Sequence, residues 1–318
     1  MLQSRSMRKH PIWLSLLLAV AVFEATAGSV SRPDPRKNAT RPLRLLQAWR
    51  LTPPTPERFD ASALLRLPDG TLLTVHGKKA GVYRIELPAQ GDRAALVAVP
   101  DLFQAPALDR ASGQPARSYD LEGLARDPQG RLYVCAEGSR RVFRHDPTGG
   151  TTQLLPLDWA PVQRWFSRDG NASWEGIAAG GGRLYLANER SVGRIVVVDL
   201  ESLQVTGSFS VSPPETPARD THYSDLCWAD GRLWVLCRES HCVLKVDPVR
   251  ERVEASFSYG SIEKDPKYGY LNPLPYGFVE GLSVHDGEVW LVVDNNGIGR
   301  MADPKDLRPS LWRCKIPD

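Results

Sequence analysis

The sequence repeats one pattern five times, and this repetition restricts the possible folds more than any other feature. Each copy has an acidic residue, a small or apolar pair, a tight turn with glycine, an apolar strand and, in four copies, a second acid. The leading acids lie 50 to 62 residues apart, which is the period of a four-stranded propeller blade. The copies are FDASALLRLPDGTLLTVHGK, DLEGLARDPQGRLYVCAEGS, SWEGIAAGGGRLYLANERS, SDLCWADGRLWVLCRES and VEGLSVHDGEVWLVVDNN.

Further strands follow each copy and complete a four-stranded blade. The last copy has only three strands, and the strand-like segment 42–51, PLRLLQAWRL, precedes the first copy without another partner. Pairing of this segment beside the last strand would remove an open sheet edge. We therefore predict an all-β fold, a five-bladed β-propeller over residues 28–318, with six blades as the alternative. The blades are predicted to begin near residues 60, 120, 174, 224 and 279.

The first 27 residues have the pattern of a secretory signal peptide. Basic residues precede the apolar stretch 12–23, and Ala25-Thr26-Ala27 provides an A-x-A cleavage site. The apolar stretch is shorter than the ~20 residues that a membrane span needs. The pattern predicts export to the periplasm or the extracellular space, without a membrane span.

Charge and cysteine content add two expectations. The net charge of +3 gives no overall electrostatic reason to expect nucleic acid as a partner. The five cysteines are an odd number, so at least one thiol is free. Export permits a disulfide between Cys237 and Cys242, the closest pair, and buried thiols are the alternative.

The two acids of a copy are predicted to lie at the same edge of their sheet. The first and second strands of each copy form a hairpin, so the start of one lies beside the end of the other. Since the first strand of a blade lines the central channel, the leading acids form an inner ring at one mouth of that channel. The candidate metal ligands in this ring are Glu122, Glu175, Asp225 and Glu280.

Carboxylates that converge in this way need protons, cations or a bound metal. A ring of hard oxygen ligands suits Ca²⁺. The alternative is structural, because each acid can accept hydrogen bonds from backbone N–H groups and lock one blade to the next.

The acids at the ends of the second strands form an outer ring, and basic residues lie close to them in sequence. These basic residues either neutralise the acids or bind an anionic substrate. The candidate substrate-binding residues are Arg141, Arg190, Arg238, Arg300, Glu189 and Asp294. His76 and His222 are expected on the same face and are candidate general bases, with a purely structural role as the alternative.

Several motifs resemble the phytase-like esterase family of exported β-propellers. They are WEGIAAGGGRLYLANER, SDLCWADGRLWVLCRES, VEGLSVHDGEVWLVVDNNGIG and DASALLRLPDGTLLTVHGKKAGVYRI, and the resemblance covers residues 58–300. It implies hydrolysis of esters or phosphoesters, and related phytases suggest Ca²⁺. The fourth copy departs from the pattern, because Asp225-Leu226 replaces Glu-Gly.

Three functions are compatible with the sequence. The first is a Ca²⁺-dependent phosphoesterase or esterase that acts on a small anionic substrate. The second is a lactonase-type propeller hydrolase, and the third is a secreted binding propeller without catalysis. In the third case an aromatic rim would be formed by Trp159, Trp165, Tyr268, Tyr270 and Tyr276.

Overall fold

Short strands rich in β-branched and aromatic residues build the chain, and turns with Gly, Asp or Asn separate them. The computed structural model describes residues 39–115, 119–169, 172–190, 193–214, 216 and 221–317. The predicted signal peptide, residues 1–27, lies outside these described residues. The prediction of an all-β fold with several sheets is confirmed.

Two strands, Arg41–Pro42 (β1) and Arg44–Thr52 (β2), precede five units, named here units 1 to 5 in chain order. Unit 1 contains Leu65–Arg66 (β3), Leu72–His76 (β4), Lys79–Glu86 (β5) and Arg93–Val99 (β6). Unit 2 contains Leu121–Arg126 (β7), Leu132–Ala136 (β8), Arg141–Asp146 (β9) and Thr151–Leu154 (β10). Unit 3 contains Trp174–Gly180 (β11), Arg183–Asn188 (β12), Arg194–Asp199 (β13) and Val205–Phe209 (β14).

Unit 4 contains Tyr223–Ala229 (β15), Arg232–Cys237 (β16), Cys242–Asp247 (β17) and Arg252–Ser258 (β18). Unit 5 contains Val279–His285 (β19), Glu288–Val293 (β20), Ser310–Lys315 (β21) and, as its fourth strand, β2. Within every unit, consecutive strands pair antiparallel.

The N-terminal strands join parts of the chain that are distant in sequence. Strand β2 pairs antiparallel with β21, from Arg44 opposite Lys315 to Arg50 opposite Ser310. It also pairs in parallel with β6, so units 5 and 1 share one eight-stranded sheet. Strand β1 pairs in parallel with β18 and extends the sheet of unit 4. These pairings cover sheet edges that would otherwise be open.

Apolar clusters fill the spaces between neighbouring units of the described chain. Between units 3 and 4, Tyr185 of β12 is buried in the same cluster as Leu244 of β17. Between units 5 and 1, Trp290 is buried in the same cluster as Leu72, and Trp49 stacks on Trp290. The innermost strands also contact one another in chain order, and β19 contacts β3. Each unit therefore buries apolar surface against its neighbours, which a single unit cannot do alone.

Glycine follows the leading acid because neighbouring innermost strands approach each other closely there. A Cβ atom on Gly176 would lie 2.6 Å from Cα of Asp225 in the next unit. One on Gly281 would lie 2.6 Å from the backbone carbonyl carbon of Ala63 in unit 1. This close approach accounts for the Glu-Gly pairs and brings the preceding acids of different units close together.

The units are joined by longer segments that contain the helices. Helix Ala105–Ser112 (α1) lies between units 1 and 2, a 3₁₀ helix at Gln163–Trp165 between units 2 and 3, and Gly260–Glu263 (α2) between units 4 and 5. No helix in the described part of the chain is long and apolar enough to cross a bilayer. The five cysteines are free thiols. Cys237 and Cys242 lie opposite each other on the paired strands β16 and β17, without a disulfide between them.

Candidate active site

A β-bulge displaces one glutamate in three of the units from the regular strand pairing. The pairing of the first two strands shifts by one residue at Glu122 in unit 2, at Glu175 in unit 3 and at Glu280 in unit 5. A bulge redirects the side chain of the extra residue. We call this bulged residue the inner position, and all three glutamates line one cavity.

In unit 4 the bulge falls on Ser224 and not on Asp225. Tyr223 pairs with Cys237, and Asp225 pairs with Leu236, so Ser224 is the residue left over. The inner position of unit 4 is therefore a serine, which corrects the prediction that Asp225 is equivalent to the leading glutamates.

Unit 1 shows a similar displacement. Ala61 pairs with His76, the last residue of β4, just as Leu121 of unit 2 pairs with Ala136, the last residue of β8. The inner position of unit 1 is therefore Ser62, two residues after Asp60, the acid at the start of the first copy. Carboxylates at the inner position are confined to units 2, 3 and 5.

The first residue after the second strand of each unit forms another set of equivalent positions, called here the outer position. In units 1, 2 and 3 its backbone N–H donates to the carbonyl oxygen two residues before the inner position, as Glu137 does to Asp120 (2.9 Å) and Glu189 to Ser173 (2.8 Å). The outer positions are Gly77, Glu137, Glu189, Arg238 and Asp294. Unit 4 thus has a cation where units 2, 3 and 5 have a carboxylate, and Glu239 lies one residue further on.

The inner and outer positions, with the exception of Ser224, line one cavity of about 200 Å³, called here the acid cavity. Seven carboxyl groups and four cationic groups share this small volume. At such distances the charge of each group strongly affects the pKa of its neighbours. The remaining lining residues are Arg58, Asp60, Lys78, Arg190, Tyr276 and Asn296.

Arg238 lies between units 3 and 5 and contacts a carboxylate of each. Its Nη2 donates to Glu189 Oε1 at 2.9 Å, and its Nη1 donates to Glu280 Oε1. Its guanidinium lies over the ring of Tyr276, 5.3 Å from the centroid. Burial alone would lower the pKa of Arg238, but Glu280, Glu175 and Glu189 raise it. The guanidinium therefore remains charged and holds both of its contacting carboxylates in place.

Each of the other three cations of the acid cavity also contacts a carboxylate. The pairs are Arg190–Glu189, Lys78–Asp120, Arg58–Asp60 and Arg58–Asp294. The side chains of Arg58 and Lys78 are 47% and 57% exposed, so both remain accessible to an incoming anion. Arg190 is 29% exposed and lies further inside.

Three carboxyl groups of the acid cavity, those of Glu122, Glu137 and Glu175, form no salt bridge within the described part of the chain. Oxygen atoms of Asp120, Glu122 and Glu137 lie within 4.8 Å of one another, and so do those of Glu137, Glu175 and Glu189. Glu137 belongs to both groups, and its buried Oε1 has no hydrogen-bond partner among the described residues.

Burial and mutual repulsion raise the pKa of these carboxyl groups. Burial raises the pKa of Glu122 and of Glu175 well above the ordinary value, and neighbouring carboxylates raise it further. Burial and the nearby Asp120 raise the pKa of Glu137 to about 7. Burial also raises the pKa of Glu189 to about 7, although its arginine partners act in the opposite direction. Without a bound cation, this part of the cavity therefore retains protons near neutral pH.

This set of oxygen atoms suits a hard divalent cation. Ca²⁺ takes about six to eight oxygen ligands, and carboxylates are its usual side-chain ligands. A cation at this place would contact the unpartnered Oε1 of Glu137 and favour the ionised form of the surrounding groups. The residues that fit such an ion are Asp120, Glu122, Glu137, Glu175 and Glu189.

Asp225 lies outside this set. Its Oδ1 accepts a hydrogen bond from the N–H of Leu226, and its Oδ2 accepts one from the N–H of Leu282 in unit 5, both at 2.8 Å. The residue is buried and does not line the acid cavity. Burial raises the pKa of Asp225, whereas the N–H donors act in the opposite direction. The contacts of Asp225 are those of the structural alternative, an acid that locks neighbouring units together.

His76 and His222 also lie outside the wall of the acid cavity. The Nδ1 of the buried His76 accepts a hydrogen bond from the N–H of Lys78 at 3.2 Å, and its ring packs 4.8 Å from that of Phe59. The Nδ1 of His222 lies 2.6 Å from Oε1 of Glu239. Burial lowers the pKa of both histidines. Neither imidazole lines the acid cavity, although the nearby Asp60, which does, partly offsets the effect of burial on the pKa of His76.

The predicted substrate-binding arginines separate into two pairs. Arg190 and Arg238 line the acid cavity, and Arg141 and Arg300 do not. Arg141 is the first residue of β9. The Nε of the buried Arg300 donates to Asp306 Oδ2 at 3.1 Å, which ties together the segment before β21. The structure therefore places neither Arg141 nor Arg300 in the wall of the acid cavity.

Glu189 and Asp294 line the acid cavity, but several of its other residues were not among the predicted site residues. Glu137 follows directly from the repeat, as the second acid of its copy. Lys78 follows an outer position, and Arg58 precedes the leading acid of the first copy. Tyr276 and Asn296 have no counterpart in the repeat, and only the folded loops bring them to the cavity.

A protein-family model described as Phytase-like: Esterase-like activity of phytase matches residues 36–297. This range includes every residue that lines the acid cavity. No protein with a curated description matches the sequence.

The chain is also similar to solved structures. Glutaminyl cyclase from Myxococcus xanthus is 15% identical, with a TM-score of 0.55 over 88% of this chain and 99% of that chain. Aldose sugar dehydrogenase from Streptomyces coelicolor, in its PQQ-bound form, is 13% identical, with a TM-score of 0.46 over 86% and 97% of the two chains. The first similarity extends over nearly all of both chains and supports a shared propeller-type fold.

Proposed function

Because the chain belongs to the phytase-like family described by the esterase-like activity of phytase, we propose that it is an exported, Ca²⁺-dependent hydrolase of small anionic esters or phosphoesters. One observation carries the proposal. Three buried carboxyl groups that form no salt bridge within the described chain share the acid cavity with four cationic side chains. Such a cavity suits a metal ion beside an anionic substrate.

The proposed metal ligands are Glu122, Glu137 and Glu175, with Asp120 and Glu189 within reach. When bound, the ion would polarise a phosphoryl or ester carbonyl oxygen and lower the pKa of a coordinated water. The ligands come from units 2 and 3, whereas Arg238 in unit 4 already neutralises Glu280. The metal is therefore proposed among Glu122, Glu137 and Glu175, the cavity glutamates that form no salt bridge within the described part of the chain.

Glu189 is the proposed proton acceptor. Burial raises the pKa of its carboxyl group, whereas its arginine partners act in the opposite direction and a bound cation would do the same, so the group is ionised and able to accept a proton near neutral pH. Arg238 and Arg190 both contact its carboxylate and fix its orientation. Lys78 and Arg58 lie at the same cavity with exposed side chains, and they are proposed to bind the charged group of the substrate.

We further infer that the five units are the five blades of one propeller over residues 28–318. The apolar cluster between units 5 and 1, and the place of β2 as the fourth strand of unit 5, support five blades and not six. Residues 1–27 are proposed to direct export to the periplasm or the extracellular space. The intact mass of the secreted protein tests this, since cleavage after Ala27 leaves Gly28 as the first residue.

The test of activity uses the purified mature protein and a panel of phosphomonoesters, carboxylate esters and lactones, with Ca²⁺ or with a chelator. We expect hydrolysis of a phosphomonoester or a carboxylate ester that is lost on chelation and in Glu137→Gln. Glu239→Gln is the matched control, because Glu239 lies outside the acid cavity. Turnover that survives both chelation and Glu137→Gln would overturn the metal-dependent mechanism.

Two other results would identify the alternatives. Hydrolysis of lactones alone would indicate a lactonase-type propeller. Ca²⁺ binding without turnover of any member of the panel would indicate a secreted binding propeller.

A further inference from the structure

A second cavity lies next to the acid cavity and has a different chemistry. Its volume is about 380 Å³, and its walls come from the segment between units 4 and 5 and from β20 and β21. The volume lies within the range of small-molecule pockets, about 300–1,000 Å³, whereas that of the acid cavity lies below it. We call this second cavity the aromatic cavity, and its apolar wall contains Tyr270, Leu274, Tyr276, Phe278, Val293 and Trp312.

The two cavities share a wall. Tyr276 lines both of them, and the guanidinium of Arg238 lies over its ring. Val293, the last residue of β20, lines the aromatic cavity, and the next residue, Asp294, lines the acid cavity. A molecule with one charged end and one apolar end would therefore find both surfaces side by side.

The polar groups of the aromatic cavity are mostly engaged within the protein. Glu263 contacts His241 Nδ1 through Oε2, and its Oε1 accepts a hydrogen bond from the N–H of Phe278 at 3.1 Å. Trp312 differs, because it is 1% exposed and its Nε1 has no hydrogen-bond partner among the described residues. With its polar groups engaged or buried in this way, the cavity presents mainly apolar side chains to a ligand.

We propose that the aromatic cavity binds an aryl group, or an apolar group of similar size, of the same ester or phosphoester whose charged end enters the acid cavity. This inference rests on the proposed function and adds the substrate class to it. The acid cavity has room for a charged group and an ion but not for a large alcohol. In the neighbouring cavity the exposed Leu274 and the half-buried Tyr276 offer apolar area to an aryl group, and the buried rings of Tyr270, Phe278 and Trp312 complete the wall behind them.

The test compares two substrates whose leaving alcohols have similar reactivity, 2-(2-naphthyl)ethyl phosphate and ethyl phosphate. Leu274→Trp fills the aromatic cavity from its rim, and Leu271→Trp is the matched control. Leu274 and Leu271 are 39% and 51% exposed, and only Leu274 lines the cavity. Calorimetric binding of 2-(2-naphthyl)ethanol gives a second readout that needs no turnover.

We expect wild type to favour the naphthyl substrate in kcat/KM by about tenfold or more, as apolar pockets do. Leu274→Trp should remove this preference and weaken binding of the naphthyl alcohol by about tenfold, whereas Leu271→Trp should change neither. Equal kcat/KM values for the two substrates, without binding of the alcohol, would overturn the aromatic site and leave the hydrolase proposal intact. Binding of the alcohol with this mutational pattern, but without hydrolysis of any ester, would uphold the aromatic site and overturn the hydrolase proposal.

Discussion

Nη2 of Arg238 lies 2.9 Å from Oε1 of Glu189, and this contact joins the outer positions of two neighbouring units. The same guanidinium contacts Glu280 in unit 5. One cation thus compensates two carboxylates that are both largely buried. Removal of one member of a buried ion pair leaves a charge without compensation, which is far more costly than the loss of a surface pair.

Replacement of Arg238 is therefore expected to destabilise the protein strongly and in a pH-dependent way. Arg238→Met should lower the free energy of unfolding by about 3–5 kcal/mol at pH 8, where the two buried carboxyl groups must either ionise without their partner or retain protons that the unfolded chain has released. The loss should be smaller at pH 5, because Glu189 is then below its pKa of about 7 and retains its proton. Urea denaturation at both pH values measures the difference.

Arg84→Met is the matched control for Arg238→Met. Arg84 also contacts a carboxylate, that of Glu86, but both side chains are about half exposed, at 49% and 47%. Its replacement should change stability by little more than experimental error. Similar losses in the two variants would show that Arg238 does not compensate buried charge.

The fold class could be predicted from the sequence because the sequence is a repeat. Regular copies of an acid, a glycine turn and a short apolar strand predict an all-β fold of several sheets, and this is confirmed. Membership of the phytase-like family, which the motifs indicated, is also confirmed. Glu122, Glu175 and Glu280 belong to copies with the Glu-Gly pair, and all three line the same cavity.

The fourth copy could not be aligned correctly from the sequence, because a bulge moves the register by one residue. Ser224 and Asp225 are adjacent, and only the pairing of Tyr223 with Cys237 shows which of them bulges. The same register makes Arg238, and not Glu239, the outer residue of unit 4. A one-residue shift in a strand directs the side chain to the other face, so the chemistry of the position changes completely.

The placement of Arg300 away from the acid cavity and the omission of Tyr276 from the predicted site have a different cause. Arg300 carries a charge near the predicted outer ring, but Asp306 holds it in a buried contact that no local pattern indicates. Tyr276 reaches the acid cavity only because the long segment before unit 5 folds over it. Contacts of this kind depend on the path of the loops, which the strand repeat does not determine.

Stability in a chelator should fall as the pH rises. Burial raises the pKa of Glu137, Glu189 and Asp294 to about 7, above the ordinary value of a carboxyl group. The folded protein therefore retains protons that the unfolded chain has released, so the contribution of these three groups to stability is most favourable below about pH 4.5 and decreases up to about pH 7. Thermal denaturation from pH 5 to pH 8 in a chelator measures this slope, and a Tm that rises over this interval would contradict it.

Ca²⁺ should reverse this loss. The ion binds the ionised carboxylates, so its effect should grow with pH. At a concentration of 100 Kd it should add about 2.7 kcal/mol at pH 8, which corresponds to a rise in Tm of about 4–5 °C for a domain of this size. The same thermal scans with Ca²⁺ test this, and Mg²⁺ at equal ionic strength controls for charge screening. An equal response to both ions would argue against a site that suits Ca²⁺.

Glu137→Gln should have opposite effects with and without metal. In a chelator at pH 8 the variant should be more stable than wild type by about 1–3 kcal/mol, because one buried, repelled carboxyl group is removed. Addition of Ca²⁺ should stabilise this variant much less than it stabilises wild type, since Glu137 belongs to both groups of converging oxygens. Paired thermal scans measure both effects, and Glu239→Gln should show neither. A variant destabilised in the chelator would instead indicate a structural role.

Replacement of Asp225 should reduce stability without affecting Ca²⁺ binding, because its two oxygens already accept hydrogen bonds from the N–H groups of Leu226 and Leu282. Asp225→Ala leaves both buried donors without an acceptor, and the free energy of unfolding should fall by about 2–4 kcal/mol. The increase in Tm on addition of Ca²⁺ should remain that of wild type, whereas Glu175→Ala should reduce it. Calorimetric titration of Ca²⁺ into the two folded variants gives the affinities directly. If Asp225→Ala weakens Ca²⁺ binding as much as Glu175→Ala does, Asp225 is a ligand after all, and the register-based separation of these two acids is wrong.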